Sequence, residues 1–283
     1  MNLEQEKQVQ ILLKKLGLKP KRKLGQHFMV DRSVLEGMVE SAKISSEDEV
    51  LEVGAGLGIL TELLSSKAKH VYAIELDRIL YSYLLGKFKN LNNVTLILGD
   101  ALKISFPTFN KVVSNLPFSI STEFTIRLLS KYRHFQLAVL TYQKEVALRM
   151  IACPGSENYG RLSVVVQLFS DVYLLREVSR NSFYPPPEVD AMVVLLKPKA
   201  SFFFSDKDFK LFTTFTALLF SQRRKVVEKA IKTVLSKVLK VKMNGVFIER
   251  ALKDIMHKRV FELSPQEVLS LYKELRSFIN EGN

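Results

Sequence analysis

Between Glu49 and Thr141 five short strand-like runs recur, each separated from the next by a segment of helical or turn character. The runs are Glu49–Val53, His70–Ile74, Val94–Leu98, Lys111–Ser114 and Gln136–Thr141, and helical spacing fills Leu60–Lys67, Ile79–Phe88 and Ser121–Lys131, with Lys144–Ile151 after the fifth run. This alternation is the strongest constraint on the fold. Parallel strands need crossovers, and helices that return the chain cover both faces of the sheet. Two more runs, Val172–Val178 and Ala191–Leu196, follow with no long helix between them, so an antiparallel pair closing a mostly parallel seven-stranded sheet is expected. The fold class is therefore α/β, with a Rossmann-like sheet.

The pattern changes near Lys197-Pro198-Lys199. Beyond it only helical periodicity remains, with Phe209, Phe212, Phe215, Leu218 and Leu219 at three- and four-residue steps, a stripe that reads as core. The expected division is a catalytic-type domain over 1–200 and a smaller all-helical domain over 201–283. Within the first, 1–30 holds an amphipathic helix (Val9, Leu12, Leu13, Leu16) and the segment Lys19–Phe28.

Leu51-Glu52-Val53-Gly54-Ala55-Gly56-Leu57-Gly58 sets a glycine turn between the first of these strands and a helix. Glycine lets a backbone turn tightly and approach a ligand at a helix N-terminus. Such a turn also serves many α/β proteins only to reverse the chain. Two acids add weight: Glu75 ends the next strand, where a carboxylate can accept ribose hydroxyls, and Asp100 follows the third in Gly99-Asp100-Ala101, suited to an adenine amine. All three lie at carboxyl ends of strands, where open α/β sheets bind ligands. No hydride-transfer apparatus accompanies them, so S-adenosylmethionine fits better than a nicotinamide cofactor.

After the fourth strand comes Ser114-Asn115-Leu116-Pro117-Phe118. Methylating an adenine amine requires drawing its lone pair out of the ring, which two acceptors can do by holding its hydrogens. The Asn115 side-chain oxygen and the Leu116 carbonyl supply such a pair, Pro117 stiffens the backbone that aims the carbonyl, and Phe118 offers a face for the base. An in-line displacement of this kind needs neither metal nor covalent nucleophile. Alone, the tetrapeptide would also pass for a turn with a core aromatic.

Over roughly residues 19–225 the chain resembles the small-subunit ribosomal RNA adenine dimethyltransferase family. The resemblance is carried by Lys23-Leu24-Gly25-Gln26-His27-Phe28, Glu52–Gly58, Glu75-Leu76-Asp77, Gly99-Asp100-Ala101, Asn115–Thr122, Gln143–Val146, Tyr159–Ser163, Phe183–Asp190 and Gln222–Lys225. It implies cofactor contacts at His27, Met29, Gly54, Glu75, Asp100 and Asn115, with Gln26 and Phe28 in the same segment and Gly56, Gly58 and Ala101 in the flanking turns. It also implies that Phe183, before three prolines, packs on the target adenine opposite Phe118, and that two adjacent adenines near the 3′ end of the small-subunit rRNA are dimethylated. His27 and Phe118 stand where the family often has Asn and Tyr. The stretch Lys258–Pro265 looks archaeal in type.

The net charge of +13 fits a phosphate-bearing partner, although a solvated lysine-rich surface would give the same figure. Eight of nine charged residues between Ser221 and Lys242 are basic, and Arg224, Lys225, Lys229 and Lys232 at helical spacing are candidate phosphate contacts together with Arg223, Lys21, Arg22 and Lys23. The expected partner is small-subunit rRNA, naked or in a partly assembled subunit, met by a monomer. No metal is expected, because His27, His70, His134 and His257 are scattered. Cys153, the single cysteine, excludes an intrachain disulfide and reads as a filler. With no apolar run near the ~18 residues of a membrane span and no signal-like start, the cytoplasm is expected. Two other functions remain: a large-subunit rRNA adenine methyltransferase of the antibiotic-resistance type, and a non-catalytic RNA-binding assembly factor.

Overall fold

The computed structural model describes residues 3–20, 25–132, 134–199, 204–238 and 254–281. They divide into two compact units, one of residues 1–147 and 171–198, the other of 148–170 and 199–283.

The first unit holds a seven-stranded sheet. Its strands are β2 (Glu49–Val53), β3 (His70–Glu75), β4 (Val94–Leu98), β5 (Lys111–Ser114), β6 (Leu137–Gln143), β7 (Ser170–Val178) and β9 (Ala191–Pro198). A separate two-stranded ribbon pairs β1 (Phe28–Met29) with β8 (Phe183–Tyr184). Spatial order in the sheet is β4-β3-β2-β5-β6-β9-β7. β2 pairs in parallel with both β3 and β5, and β6 with β5, while β9 runs antiparallel to β6. The chain thus builds outward in one direction from β2 to β4 and in the other from β5. That reversal creates a crevice at the carboxyl ends of β2 and β5, the switch point of an open sheet.

The central strands are apolar on both faces because helices cover both. Val50, Leu51, Val112, Val113, Ala138 and Val139 are fully buried. Helices α2 (Arg32–Ser41) and α4 (Arg78–Lys87) start on aspartates, Asp31 and Asp77, whose carboxylates accept first-turn N–H groups. The N-terminal helix α1 (Leu3–Lys15) buries Val9 and Leu13 in a cluster with Leu18, Phe28, Val30, Leu57 and Leu80. That packing braces β1 and the glycine turn from one side.

The second unit packs α7 (Arg161–Phe169), α8 (Asp206–Phe220), α9 (Val227–Val238) and α10 (Pro265–Glu281). Phe169 lies 4.8 Å from Phe209 and 5.9 Å from Phe212, ring centre to ring centre, and Phe212 lies 5.3 Å from Tyr272. The expected stripe on 209–219 is therefore core. The division differs from a cut at 200: α7 belongs with the C-terminal helices, and its buried Phe169 packs on Phe209 and Phe212 of α8. Two further expectations change. Arg224 and Lys225, expected on one helical face with Lys229 and Lys232, lie instead in a turn between α8 and α9, held by Val227 N–H to Lys258 O and Val260 N–H to Lys225 O, each near 3 Å. Cys153 is exposed and fills no core site.

Candidate active site

One cleft of the first unit gathers residues from five separate segments. It is lined by Gly25–Met29, Glu52–Leu57, Glu75, Gly99–Ala101, Asn115, Pro117 and their neighbours. Of the expected cofactor contacts, Gln26, His27, Phe28, Met29, Gly54, Gly56, Glu75, Asp100, Ala101 and Asn115 all line it. Gly58 does not. It takes φ +73° at the N-terminus of α3 (Ile59–Ser65), and a Cβ there would stand 2.7 Å from Leu84 and 2.8 Å from Phe88, so packing of α4 demands that glycine.

Gly54, at φ +78°, lies so close to the chemical loop that a Cβ would come within 3.0 Å of the Pro117 ring. The glycine turn and the Asn115–Phe118 loop therefore fix one another's position. Glu75 sits at the end of β3 with 5 % exposure. Its two oxygens accept the N–H groups of Gly56 and Asp77, each at 2.8 Å. Burial pushes its carboxyl above the ordinary carboxylate range, opposed by those N–H donors. Asp100 accepts Leu102 N–H at 2.9 Å and pairs with Lys103 at 3.4 Å. A third carboxyl, Glu52, is fully buried behind the turn and accepts the Thr61 hydroxyl at 2.6 Å. Its desolvation raises the pKa to about 8, with the charge of Glu75 adding to the effect.

Asn115 is held from two sides. The Thr141 hydroxyl donates to its Oδ1 at 2.7 Å, and its Nδ2 donates to the His27 carbonyl at 3.4 Å. Leu116 is buried, and Ser114 below it ties β5 to β2 by donating to the Val53 carbonyl. Phe118 begins a 3₁₀ turn that leads into α5 (Ser121–Lys131).

The β1–β8 ribbon joins two motifs far apart in sequence. Phe28 pairs with Tyr184 and Met29 with Phe183, and Val30 N–H donates to Ser182 O at 2.8 Å. Phe183 thereby reaches Phe118: the ring centres are 5.9 Å apart at 64°, an edge contact. A base stacked between parallel rings needs about 7 Å, two layers of ~3.4 Å. The two aromatics are thus adjacent but leave no base-wide slot, and Phe183 is buried.

Sequence reasoning missed Thr141, Glu52 and the Pro185 carbonyl that His27 contacts at 2.7 Å. Glu52 stood inside the quoted glycine motif; nothing in the spacing marked Thr141. Among the expected RNA contacts, Arg224, Lys225, Lys229 and Lys232 are exposed on the second unit. Arg223 is engaged within it, donating to the carbonyls of Ser156 and Glu157 and lying over the Phe261 ring at 5.6 Å. Lys21, Arg22 and Lys23 lie outside the described residues. Among the described residues no group of His, Cys, Asp and Glu is arranged to hold a metal ion.

The family model described as ribosomal RNA adenine dimethylase matches residues 17–275. A probable ribosomal RNA small subunit methyltransferase A of Pyrococcus abyssi is 42 % identical over 277 residues, covering 95 % of this chain and 96 % of its own. A protein of the same description from Methanosarcina mazei is 43 % identical over 264 residues, covering 93 % and 95 %. Among solved structures, a dimethyladenosine transferase from Plasmodium falciparum is 33 % identical with a TM-score of 0.75, covering 90 % of this chain and 98 % of that one. The 23S rRNA methyltransferase ErmE superposes with a TM-score of 0.62 at 23 % identity, over 88 % of this chain and 99 % of that one, and shares the fold.

Proposed function

The chain belongs to the ribosomal RNA adenine dimethylase family, and from that premise we propose how its cleft dimethylates adenine in small-subunit ribosomal RNA. It is an rRNA adenine methyltransferase. The finer reading is that S-adenosylmethionine is the methyl donor and that two adjacent adenines near the 3′ end of the rRNA receive two methyl groups each, in the cytoplasm.

The residues fit that donor. Glu75 is buried, lines the cleft and carries two carboxylate oxygens, anchored by backbone N–H groups, that can accept ribose hydroxyls. Gly54 and Gly56 leave the turn without side chains where the ligand would lie, and Glu75 and Asp100 give the cleft a negative lining suited to a cation. When bound, S-adenosylmethionine supplies an electrophilic methyl group on a sulfonium.

The single observation that carries the reading is the fixed orientation of Asn115. The His27 carbonyl only accepts, so it demands the amide nitrogen; Thr141 then meets Oδ1. The amide oxygen keeps a lone pair for one amine hydrogen of adenine, and the Leu116 carbonyl serves the other. The lone pair on the amine nitrogen is then turned out of the ring plane. Phe118 offers a stacking face at the same loop, a contact worth about 1–3 kcal/mol per base. The exposed cations of the second unit hold phosphates and set register, not sequence.

Labelled methyl transfer from S-adenosylmethionine to undermethylated small subunits tests this reading. Label in dimethyladenine of small-subunit rRNA is expected, and Asn115→Ala should abolish it while leaving RNA binding nearly intact. Label confined to large-subunit RNA would overturn the substrate, and full activity of Asn115→Ala would overturn the site.

A further inference from the structure

We infer that Thr141 is a positioning residue for the methyl transfer, anchoring the Asn115 amide oxygen at the place where it meets the target amine. The inference rests on the role proposed for Asn115.

Thr141 lies on β6, next to β5 in the sheet, and is fully buried. Its hydroxyl donates to Asn115 Oδ1 at 2.7 Å, from a strand 26 residues beyond the loop it serves. The other tether of that amide is long, 3.4 Å from Nδ2 to the His27 carbonyl. An Asn amide turned over by half a rotation has nearly the same shape, so packing alone does not choose its orientation. The His27 carbonyl chooses it, since a hydroxyl could satisfy either amide atom. In the flipped state Oδ1 would face the His27 carbonyl, acceptor against acceptor, and Nδ2 would face the substrate amine, donor against donor. The Thr141 hydroxyl makes the shorter of the two contacts that hold the productive state, 2.7 Å against 3.4 Å, and so fixes where the amide oxygen stands. A buried hydrogen bond between neutral groups stabilises more than an exposed one, because no water competes for either partner.

The rigidity of the support follows from the sheet. Thr141 is paired with Val193 of β9 on one side, and its neighbour Leu140 with Ser114 of β5 on the other. Ser114 is the residue before Asn115. The hydroxyl and the loop it orients are therefore carried by adjacent, hydrogen-bonded strands, so their separation is fixed by the ladder and not by loop conformation. A valine at 141 keeps the branched shape and strand preference while removing the donor.

The test compares full-length wild type, Thr141→Val, Thr141→Ser and Asn115→Ala on undermethylated small subunits with S-adenosylmethionine. Thr141→Val is expected to lower kcat about 10- to 100-fold, the scale of a misaligned reacting group, with KM for subunits and cofactor affinity within about twofold. Thr141→Ser, which restores the hydroxyl, is expected to return most of that kcat. Thr141→Val with wild-type kcat, Thr141→Ser as slow as Thr141→Val, or a loss confined to KM or cofactor affinity would each overturn the inference. Asn115→Ala separates the two levels. If it is inactive and Thr141→Val is fully active, only the role of Thr141 falls; if it is itself active, the reading of the loop falls with it.

Discussion

His27 Nδ1 stands 2.7 Å from the carbonyl oxygen of Pro185, a hydrogen bond between segments 158 residues apart. A carbonyl only accepts, so Nδ1 carries the hydrogen. The same His27 ring lies 5.8 Å from Phe118, and its backbone carbonyl receives Asn115 Nδ2. One residue thus ties the cleft-lining segment Gly25–Met29, the Asn115–Phe118 loop and the proline loop together.

His27→Ala should therefore act on all three. One hydrogen bond of this kind contributes about 0.5–1.5 kcal/mol, so a small drop in melting temperature is expected. The larger effect is kinetic: kcat/KM for subunits should fall about tenfold as Phe118 and the Pro185 loop lose their shared anchor. His27→Asn, which offers an amide donor, should lose less. Unchanged kcat/KM in His27→Ala would show that the β1–β8 ribbon alone holds these segments.

Much of this arrangement was legible in the sequence. Five strands, Glu49–Val53 through Lys111–Ser114 and on to β6, follow directly from alternation with helices, and the glycine turn, Glu75 and Asp100 mark their carboxyl ends. Helix α7 was not legible: Arg161–Phe169 is apolar on nearly every side, with three consecutive valines, so it has no amphipathic period to betray it. The β1–β8 ribbon was hidden for a different reason. Two residues on each side form no pattern, and only the fold brings Phe28 to Tyr184. Arg224 and Lys225 read as helix because charge carries no turn signal; the pairing of Val226 with Arg259 decides the local shape. Thr141 was invisible because a buried threonine in a strand has an ordinary place there, and its function depends on a loop from the neighbouring strand.

Glu75→Gln tests the cofactor side. The amide keeps the size of the carboxylate but turns one acceptor into a donor, opposing Gly56 N–H or Asp77 N–H at 2.8 Å. Hydrogen bonds to a charged acceptor contribute about 1.5–3 kcal/mol each, so S-adenosylmethionine affinity should fall on the order of 100-fold in calorimetric titration. Affinity retained within about threefold would mean that the ribose hydroxyls find other partners.

Glu52 gives a stability signature in pH. Its carboxyl is raised from the ordinary 4.5 to about 8, chiefly by burial. The native state therefore holds a proton that the unfolded chain releases near 4.5. Stability from this group is fully present below that value and is lost as pH rises toward about 8. Glu52→Gln mimics the protonated form and can still accept the Thr61 hydroxyl. Its melting temperature, compared with wild type between pH 4.5 and 8, should gain on the wild type steadily with rising pH. A constant difference across that range would mean that Glu52 is ionised in the folded protein.

The cations of the second unit should separate by what already holds them. Lys229 and Lys232 are both exposed on α9, but Lys232 Nζ donates to Glu228 at 2.6 Å. Arg223 is bound to the carbonyls of Ser156 and Glu157. A lysine that meets a phosphate releases a counterion, and losing it reduces the slope of log affinity against log salt by about 0.7 for single-stranded nucleic acid. Lys229→Ala should therefore flatten the salt dependence of RNA binding by about that amount, whereas Lys232→Ala, already neutralised by Glu228, should do less. Arg223→Ala should lower the melting temperature and leave the slope nearly unchanged. Filter-binding isotherms from about 50 to 200 mM salt read all three variants. Equal slopes for wild type and Lys229→Ala would remove α9 from the RNA interface, and a slope change in Arg223→Ala without loss of stability would put the turn there instead.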